Sequence, residues 1–173
     1  RHNIGFKIID AINAHFKLSK QKPKFKGLLT TGNIDEKKIY AIKPLTFMNN
    51  SGTAIKELID YFKIDAKDVI VFHDDMDIDF GKVKAKFGGS SAGHNGIESI
   101  DKFIGKDYSR VRIGIGHPKQ KKKVNNHVLD DFKEDEEEKI KEITENIVKQ
   151  IPTLIEKKID LFSSKVNQNL NGI

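Results

Sequence analysis

The stretch from Phe72 to Gly96 constrains the fold most, because it joins the end of one strand pattern to a second strand pattern, a glycine loop and the start of a helix pattern. A short apolar run, 69–72, leads into the polar triplet His73-Asp74-Asp75. An alternating segment, 82–87, is followed by a glycine-rich loop, 88–93, and then by a helical pattern that starts at His94. Short apolar strands buried on both faces are typical of α/β sheets, which bind ligands at the carboxyl ends of their strands. The stretch therefore predicts an active site there.

Composition limits the classes of protein that the chain can represent. The length of 173 residues suits a single domain with a sizeable core. The chain has no cysteine, which excludes disulfides, thiolate zinc sites and a cysteine nucleophile. No apolar run is long enough to cross a membrane, so we expect a soluble, cytoplasmic protein with no membrane partner. The net charge of +6 favours a nucleic acid as the polyanionic partner.

Apolar periodicity predicts the elements of the N-terminal half. Isoleucines at helical spacing predict a helix just after Asn3, which we expect to be its N-cap. Segments 25–31 and 38–43 predict a hairpin with its turn at 32–35. A second helix follows Asn50-Ser51-Gly52, whose polar groups are suited to capping it.

The C-terminal half predicts a long helix and a tail. Residues 133–162 have the apolar spacing of one amphipathic helix, which Pro152 should kink or divide. Residues 163–173 are polar and are expected to fray. We therefore predict one α/β domain over 1–162, a twisted mixed β-sheet flanked by helices, followed by a C-terminal tail over 163–173.

Two strand patterns carry alternating basic residues. Lys84 and Lys86 alternate with apolar residues in the first pattern, so their ammonium groups should share one face with that of Lys82. Arg110 and Arg112 alternate with apolar residues over 108–115, which predicts a half-buried strand with a basic face. Such faces, and the lysine cluster at 119–123, are commonly only solvated, and phosphate contact is the alternative.

Histidines and amides provide the candidate chemistry. Histidine suits proton transfer near neutral pH but needs a partner, commonly a carboxylate, to set its tautomer. His2, His73 and His94 are the candidates, and Asp74 suits the partner role. Amide side chains such as those of Asn49 and Asn95 can hold a carbonyl or stabilise an oxyanion. The sequence has no GxSxG, Walker or HExxH motif to support a serine nucleophile, an NTPase or a zincin.

Four ordered blocks resemble the bacterial peptidyl-tRNA hydrolase family. They are RHNIGF at 1–6, KPLTFMNNSG at 43–52, HDDMDIDFGKVKAKFGGSSAGHNGIESI at 73–100 and RVRIGIGHP at 110–118. The resemblance implies a metal-independent hydrolase without a cofactor. Its substrate would be peptidyl-tRNA, recognised at the acceptor stem and 3′ end, and its product would be recycled tRNA. A monomer is sufficient for this role.

The resemblance also implies roles for residues at matching motif positions. His2 would be the general base that activates water, and Asp74 would orient it. Asn49 would hold the peptide and help to position the water. Asn95 would contact the substrate near the scissile ester and help to stabilise the transition state.

Further positions in the same blocks would bind substrate. His94 would lie beside Asn95, and Met48, with Phe47 next to it, would line the peptide channel. A phosphate clamp would consist of Lys84, Lys86 and Arg112. His73 is assigned to structure. The cleft is expected at the strand ends, between the glycine loop and the connection 43–52.

The resemblance further implies a segment ahead of the first block. Members of the family begin with a strand and a GLGNPG-type turn before the RHN motif, and the present sequence begins at that motif. We expect the intact protein to contain this first strand.

Two alternatives remain open. One is a non-catalytic RNA-binding member of the same fold. The other is a metal-dependent phosphohydrolase that uses His73, Asp74, Asp75 and Asp77 as ligands. Adjacent residues of a strand point in opposite directions, so these four side chains would converge poorly on one ion.

Overall fold

A computed structural model of the chain describes residues 3–117 and 132–170. Its helices are α1 (Ile4–His15), α2 (Ser51–Phe62), α3 (Asn95–Ile104), α4 (Glu134–Lys149), α5 (Ile151–Ile155) and α6 (Ile159–Leu170), with short 3-10 turns at Met48–Asn50 and Ala66–Asp68. Its strands are β1 (Lys22–Lys24), β2 (Gly27–Ile34), β3 (Lys37–Pro44), β4 (Ile70–Asp75), β5 (Val83–Phe87) and β6 (Ser109–Gly114). Within these two ranges, no helix is long and apolar enough to cross a membrane.

The described residues form two compact units. Of these residues, the terminal unit contains 3–11, Phe72–Lys86, 110–117 and 132–170, and the hairpin unit contains Ile12–Val71 and Phe87–Ser109. The strands form two three-stranded sheets, ordered β1-β2-β3 and β4-β6-β5. The predicted α/β class, with helices beside a mixed sheet, is confirmed, and the strands are shared between two sheets.

The hairpin unit contains the predicted hairpin with longer strands. β2 and β3 pair antiparallel from Gly27↔Pro44 to Ile34↔Lys37. The turn therefore lies at Asp35-Glu36 and not at 32–35, because residues 32–34 pair with β3. Both turn residues have positive φ, 48° and 68°, which matches the twist of a tight hairpin. The sheet and the facing helices α2 and α3 enclose a buried cluster that comprises Leu29, Ile55, Leu58, Ile59, Ile97, Ile100 and Tyr108.

The start of α2 is held differently from the expectation. Asn50 occupies the N-cap position but its side chain makes no capping hydrogen bond. The backbone N–H of Gly52 donates instead to Ser99 Oγ of α3, at 2.9 Å. Gly52 permits this approach because a Cβ there would overlap the Ser99 carbonyl oxygen. The neighbouring helix, and not Asn50, therefore satisfies the backbone N–H of Gly52.

The sheet β4-β6-β5 is mixed. Ser109 N donates to Val69 O and Ile115 N donates to Asp75 O, both at 3.0 Å, so β4 and β6 run in the same direction. Gly114 N donates to Lys82 O at 2.8 Å, and Gly88 N donates to Tyr108 O at 2.9 Å. The start of β5 therefore lies beside the end of β6, and the two strands are antiparallel. β6 is therefore the central strand and β5 is an edge strand.

Burial along β4 differs from the prediction. The apolar residues Ile70, Val71 and Phe72 are only half-buried, whereas His73, Asp74 and Asp75 are buried. The expectation that the apolar run is buried on both faces is therefore wrong. β4 is an edge strand of its three-stranded sheet, so apolar composition alone did not determine how fully it is covered.

The C-terminal residues form three helices. The division at Pro152 is confirmed, since α4 ends at Lys149 and α5 begins at Ile151. The expectation of a frayed tail is wrong over 163–170, because α6 extends to Leu170 with Phe162, Val166 and Leu170 buried. Apolar residues four positions apart hold this segment in the core despite its polar composition.

Candidate active site

In the hairpin unit, two of the predicted motif blocks meet. The 3-10 turn Met48–Asn50 lies against the start of α3. A Cβ on Gly96 would lie 2.7 Å from Met48 Sδ and 3.0 Å from His94 Cε1, so both side chains pack on the bare glycine backbone. The sequence reasoning missed this role of Gly96, although its place in the GHNG motif was a signal. The structure thus brings the TFMN and GHNG motifs together.

The side chains at the place where the two motifs meet differ in exposure. Asn49 and Asn95 are exposed, and Met48 and His94 are half-buried. Phe47 is 84% exposed, the largest exposed fraction among the large apolar side chains of the described residues. Two amides and an aromatic side chain are therefore presented to solvent beside the thioether of Met48.

His94 is the N-cap of α3. Its Nδ1 accepts hydrogen bonds from Gly96 N at 3.1 Å and from Ile97 N at 3.2 Å. Because Nδ1 accepts, a neutral ring carries its proton on Nε2. The cap fixes the backbone on either side of Asn95, the first residue of the helix. His94 therefore positions its neighbour, a role that the sequence did not indicate.

In the terminal unit, the predicted carboxylates lie at the end of β4. Asp74 is 3% exposed. The neighbouring Asp75 accepts from Arg112 Nε at 2.8 Å through Oδ2 and from Asp77 N at 2.8 Å through Oδ1. His73, assigned to structure, is buried, with Nδ1 2.8 Å from the carbonyl oxygen of Asp74. β4 thus ends in a run of buried, hydrogen-bonded polar residues.

The two basic strands of this unit differ. On β5, Lys84 and Lys86 are exposed whereas Val83 is buried, so the predicted alternation is confirmed. On β6, Arg110 is only 2% exposed, so the predicted basic face is wrong. The reason is that β6 is the central strand and is buried along nearly its whole length. Arg112 keeps 27% of its side-chain surface exposed and makes the ion pair with Asp75.

The carboxylates do not form a metal site in the part of the chain that the structure describes. No three His, Asp or Glu side chains within 3–117 and 132–170 are arranged to hold a metal ion. Asp75 pairs with Arg112, and Asp77 Oδ1 lies 2.7 Å from Nε2 of His117. The ligand set of the metal-dependent alternative therefore gains no support from the geometry.

Some of the predicted residues lie outside the described ranges. These are His2, the predicted general base, and the lysine cluster at 119–123. Of the others, Phe47, Met48, Asn49, His94 and Asn95 belong to the hairpin unit, and Asp74, Lys84, Lys86 and Arg112 belong to the terminal unit.

Comparison with known proteins identifies the family. The family model described as peptidyl-tRNA hydrolase matches residues 1–172. The chain is 75% identical over 167 residues to the peptidyl-tRNA hydrolase of Pelagibacter ubique (strain HTCC1062), covering 96% of this chain and 90% of that protein. It is 45% identical over 172 residues to that of Bartonella henselae, covering 99% of this chain and 89% of the relative.

A solved structure agrees with these sequence matches. The crystal structure of peptidyl-tRNA hydrolase from Acinetobacter baumannii superposes with a TM-score of 0.90 at 30% sequence identity, covering 96% of this chain and 86% of that chain. The resemblance carried by the four sequence blocks is confirmed. The chain belongs to the peptidyl-tRNA hydrolase family.

Proposed function

We propose that this chain hydrolyses the ester bond between a peptide, or an N-blocked amino acid, and the 3′-terminal ribose of tRNA, and so recycles tRNA. Family membership over residues 1–172 supports this activity. The structural observation that carries it is the packing of Met48 and His94 on Gly96. This packing gathers two motifs that are distant in sequence into one cluster with exposed amides.

His2 acts as the general base in this proposal. Its imidazole takes a proton from water, and the resulting hydroxide attacks the ester carbonyl. Asp74 accepts a hydrogen bond from the other ring nitrogen, which sets the tautomer and stabilises the imidazolium. A carboxylate that is only 3% exposed suits this role, because burial restricts its rotation and strengthens its field. General base catalysis typically contributes about 10²–10⁴-fold.

The side-chain amides of Asn49 and Asn95, in the hairpin unit, act on the substrate around the ester carbonyl. Asn49 holds the peptide and helps to position the attacking water, and Asn95 donates to the oxygen that becomes negatively charged in the transition state. The tetrahedral intermediate then collapses as the His2 imidazolium returns its proton to the ribose oxygen, which releases the ribose hydroxyl and the peptide acid, and the acid ionises to the carboxylate. The cap formed by His94 Nδ1 supports this role, since it fixes the backbone beside Asn95.

Apolar side chains beside these amides contact the peptide. Phe47 is 84% exposed, so its ring is accessible to an apolar side chain of a bound peptide. Met48 is unbranched and polarisable, so it adapts to different side chains. The pair therefore suits a substrate whose peptide sequence varies.

Lys84, Lys86 and Arg112 bind phosphates of the acceptor stem. The two lysines are exposed on one face of β5. Arg112 uses Nε for Asp75, and its two terminal nitrogens are donors suited to a phosphate. A tRNA substrate supports a cytoplasmic location. Because one chain supplies all the residues named, we propose that the monomer is active.

The activity is tested by measuring release of an N-blocked amino acid from tRNA, with and without a chelator. Chelator-resistant release is the expected result. Binding of tRNA with the ester left intact would favour the non-catalytic RNA-binding alternative. Chelator-sensitive release of phosphate would favour the metal-dependent phosphohydrolase.

A further inference from the structure

Two polar side chains of α6 bind the outer edge of β5. Asn167 Oδ1 accepts from Val83 N at 3.1 Å, and Asn167 Nδ2 donates to Val83 O at 2.7 Å. One helical turn earlier, Ser163 Oγ accepts from Ala85 N at 2.9 Å. All four residues belong to the terminal unit.

The geometry of β5 explains why these groups meet. Lys82 O accepts from Gly114 N, so the backbone groups of alternate residues face β6 and those of Val83 and Ala85 face away from it. Without a partner on that side, they would form an open sheet edge. The carboxamide of Asn167 supplies one donor and one acceptor to Val83, as a residue of a neighbouring strand would.

The spacing of the two elements also matches. Residues four apart on a helix are separated by about 6 Å along its axis. Residues two apart on a strand are separated by about 6.6–6.8 Å. Ser163 and Asn167 therefore reach Ala85 and Val83 from a single face of α6, which runs opposite in direction to the strand.

α6 is itself held firmly. Phe162 and Val166 are 0% exposed and Leu170 is 8% exposed, so one side of the helix is anchored in the core. Ser163 directly follows the buried Phe162, and Asn167 directly follows the buried Val166. The helix thus offers a fixed support against which the edge strand is held.

We propose that Ser163 and Asn167 are positioning residues for tRNA binding. They hold the outer edge of β5 so that Lys84 and Lys86, which alternate with the two capped residues, are presented in a fixed register. This inference rests on the proposed phosphate contacts of those lysines. An uncapped edge strand opens more readily, and a substrate then has to order it at a cost to affinity. Neither positioning residue needs to touch the substrate.

The competing interpretation is that the cap only protects the edge strand and adds stability. The two interpretations differ in what a substrate would sense. A positioning role affects only substrates that carry the phosphates of the acceptor stem. A purely structural role affects every substrate equally, through the folded fraction.

The test compares Ser163→Ala/Asn167→Ala with a control, Ser164→Ala/Asn169→Ala. The control makes the same two kinds of change at exposed positions of the same helix. The rate of hydrogen exchange at the amides of Val83 and Ala85 measures how well the side chains of Asn167 and Ser163 protect this strand edge. Kinetics are measured on N-blocked aminoacyl-tRNA and on an N-blocked aminoacyl ester of adenosine, which lacks the stem.

In the double variant, we expect faster exchange at both amides and a rise in KM for the tRNA substrate of about threefold to tenfold, with kcat unchanged. The adenosine ester should be hydrolysed as by the unmodified chain, and the control should behave normally throughout. Ser163→Thr keeps the hydroxyl, so exchange at the Ala85 amide and KM for the tRNA substrate should match those of the unmodified chain. Ser163→Ala alone, with one bond lost, provides the same readouts if the double variant folds poorly.

Three results would overturn the inference. Unchanged exchange would mean that the cap does not protect the edge. Faster exchange with an unchanged KM would mean that the cap does not influence tRNA binding. An equal loss on both substrates would indicate a purely structural role. If the unmodified chain binds tRNA but does not hydrolyse it, the proposed function fails, and the dissociation constants of the variant and the control for tRNA still decide this inference.

Discussion

β5 and β6 have the same kind of sequence pattern but different surroundings. Both alternate basic with apolar residues. On β5 the basic residues Lys84 and Lys86 are exposed, whereas on β6 Arg110 is 2% exposed and Arg112 is paired with Asp75. The difference arises from position in the sheet, since β5 is an edge strand and β6 lies between the other two.

This contrast shows what an alternating basic pattern does and does not determine. It determines which residues share a face, because successive side chains point to opposite sides of a strand. It does not determine whether that face meets water. Residue type carries additional information, because guanidinium groups are more weakly hydrated than ammonium groups and are favoured in buried ion pairs. Arginine on the central strand and lysine on the edge strand agree with this distinction.

The largest effect that would test the contrast is expected at Arg110. Arg110→Ala should lower the free energy of unfolding by about 2–5 kcal/mol, because it truncates one of the largest buried side chains, which is only 2% exposed, and leaves a cavity. Chemical denaturation measures the change. Lys84→Ala is the control, and should alter stability by less than about 0.5 kcal/mol. Equal losses of stability in Arg110→Ala and Lys84→Ala would contradict the contrast between β6 and β5.

A smaller effect on stability is expected at Arg112. Arg112→Ala should cost about 1.5–3 kcal/mol, because the carboxylate of Asp75, 7% exposed, loses its charged partner. A double-mutant cycle with Asp75→Asn isolates the pair, and a coupling energy near zero would contradict its role. Arg112→Lys should restore the charge without restoring the Nε contact, so it should recover only part of the stability.

Lys84 and Lys86 should affect binding and not stability. Lys84→Ala/Lys86→Ala should weaken tRNA binding and reduce the slope of log K against log salt by about 0.7–0.9 for each lost phosphate contact. The control Lys141→Ala/Lys149→Ala removes the same charge from exposed positions of α4. A slope that is unchanged, or reduced equally by the control, would remove the two lysines from the clamp.

The sequence was sufficient for the local elements whose periodicity is strong. The spacing of isoleucines predicted α1 and α3, and Pro152 predicted the break after α4. The failures were of two kinds. The burial of Arg110 depends on neighbouring strands, which local spacing does not specify. The helix α6 was missed although Phe162, Val166 and Leu170 carry its period, because polar composition was given more weight than spacing.

The candidate site was predictable only where a motif marked it. Asn49, Asn95 and the lysines of β5 came from the family blocks and from alternation. Ser163 and Asn167 lie outside every block, and their partners are backbone groups far away in sequence. Such contacts become visible only when the helix has been placed against the strand.

The most direct test of the account is single-turnover hydrolysis of N-blocked aminoacyl-tRNA by His2→Ala, compared with His15→Ala. His15 is an exposed residue in the last turn of α1 and has no proposed role. We predict that His2→Ala loses at least about 10²-fold in rate while tRNA binding is retained, and that His15→Ala remains fully active. Full hydrolysis by His2→Ala would contradict the proposed mechanism.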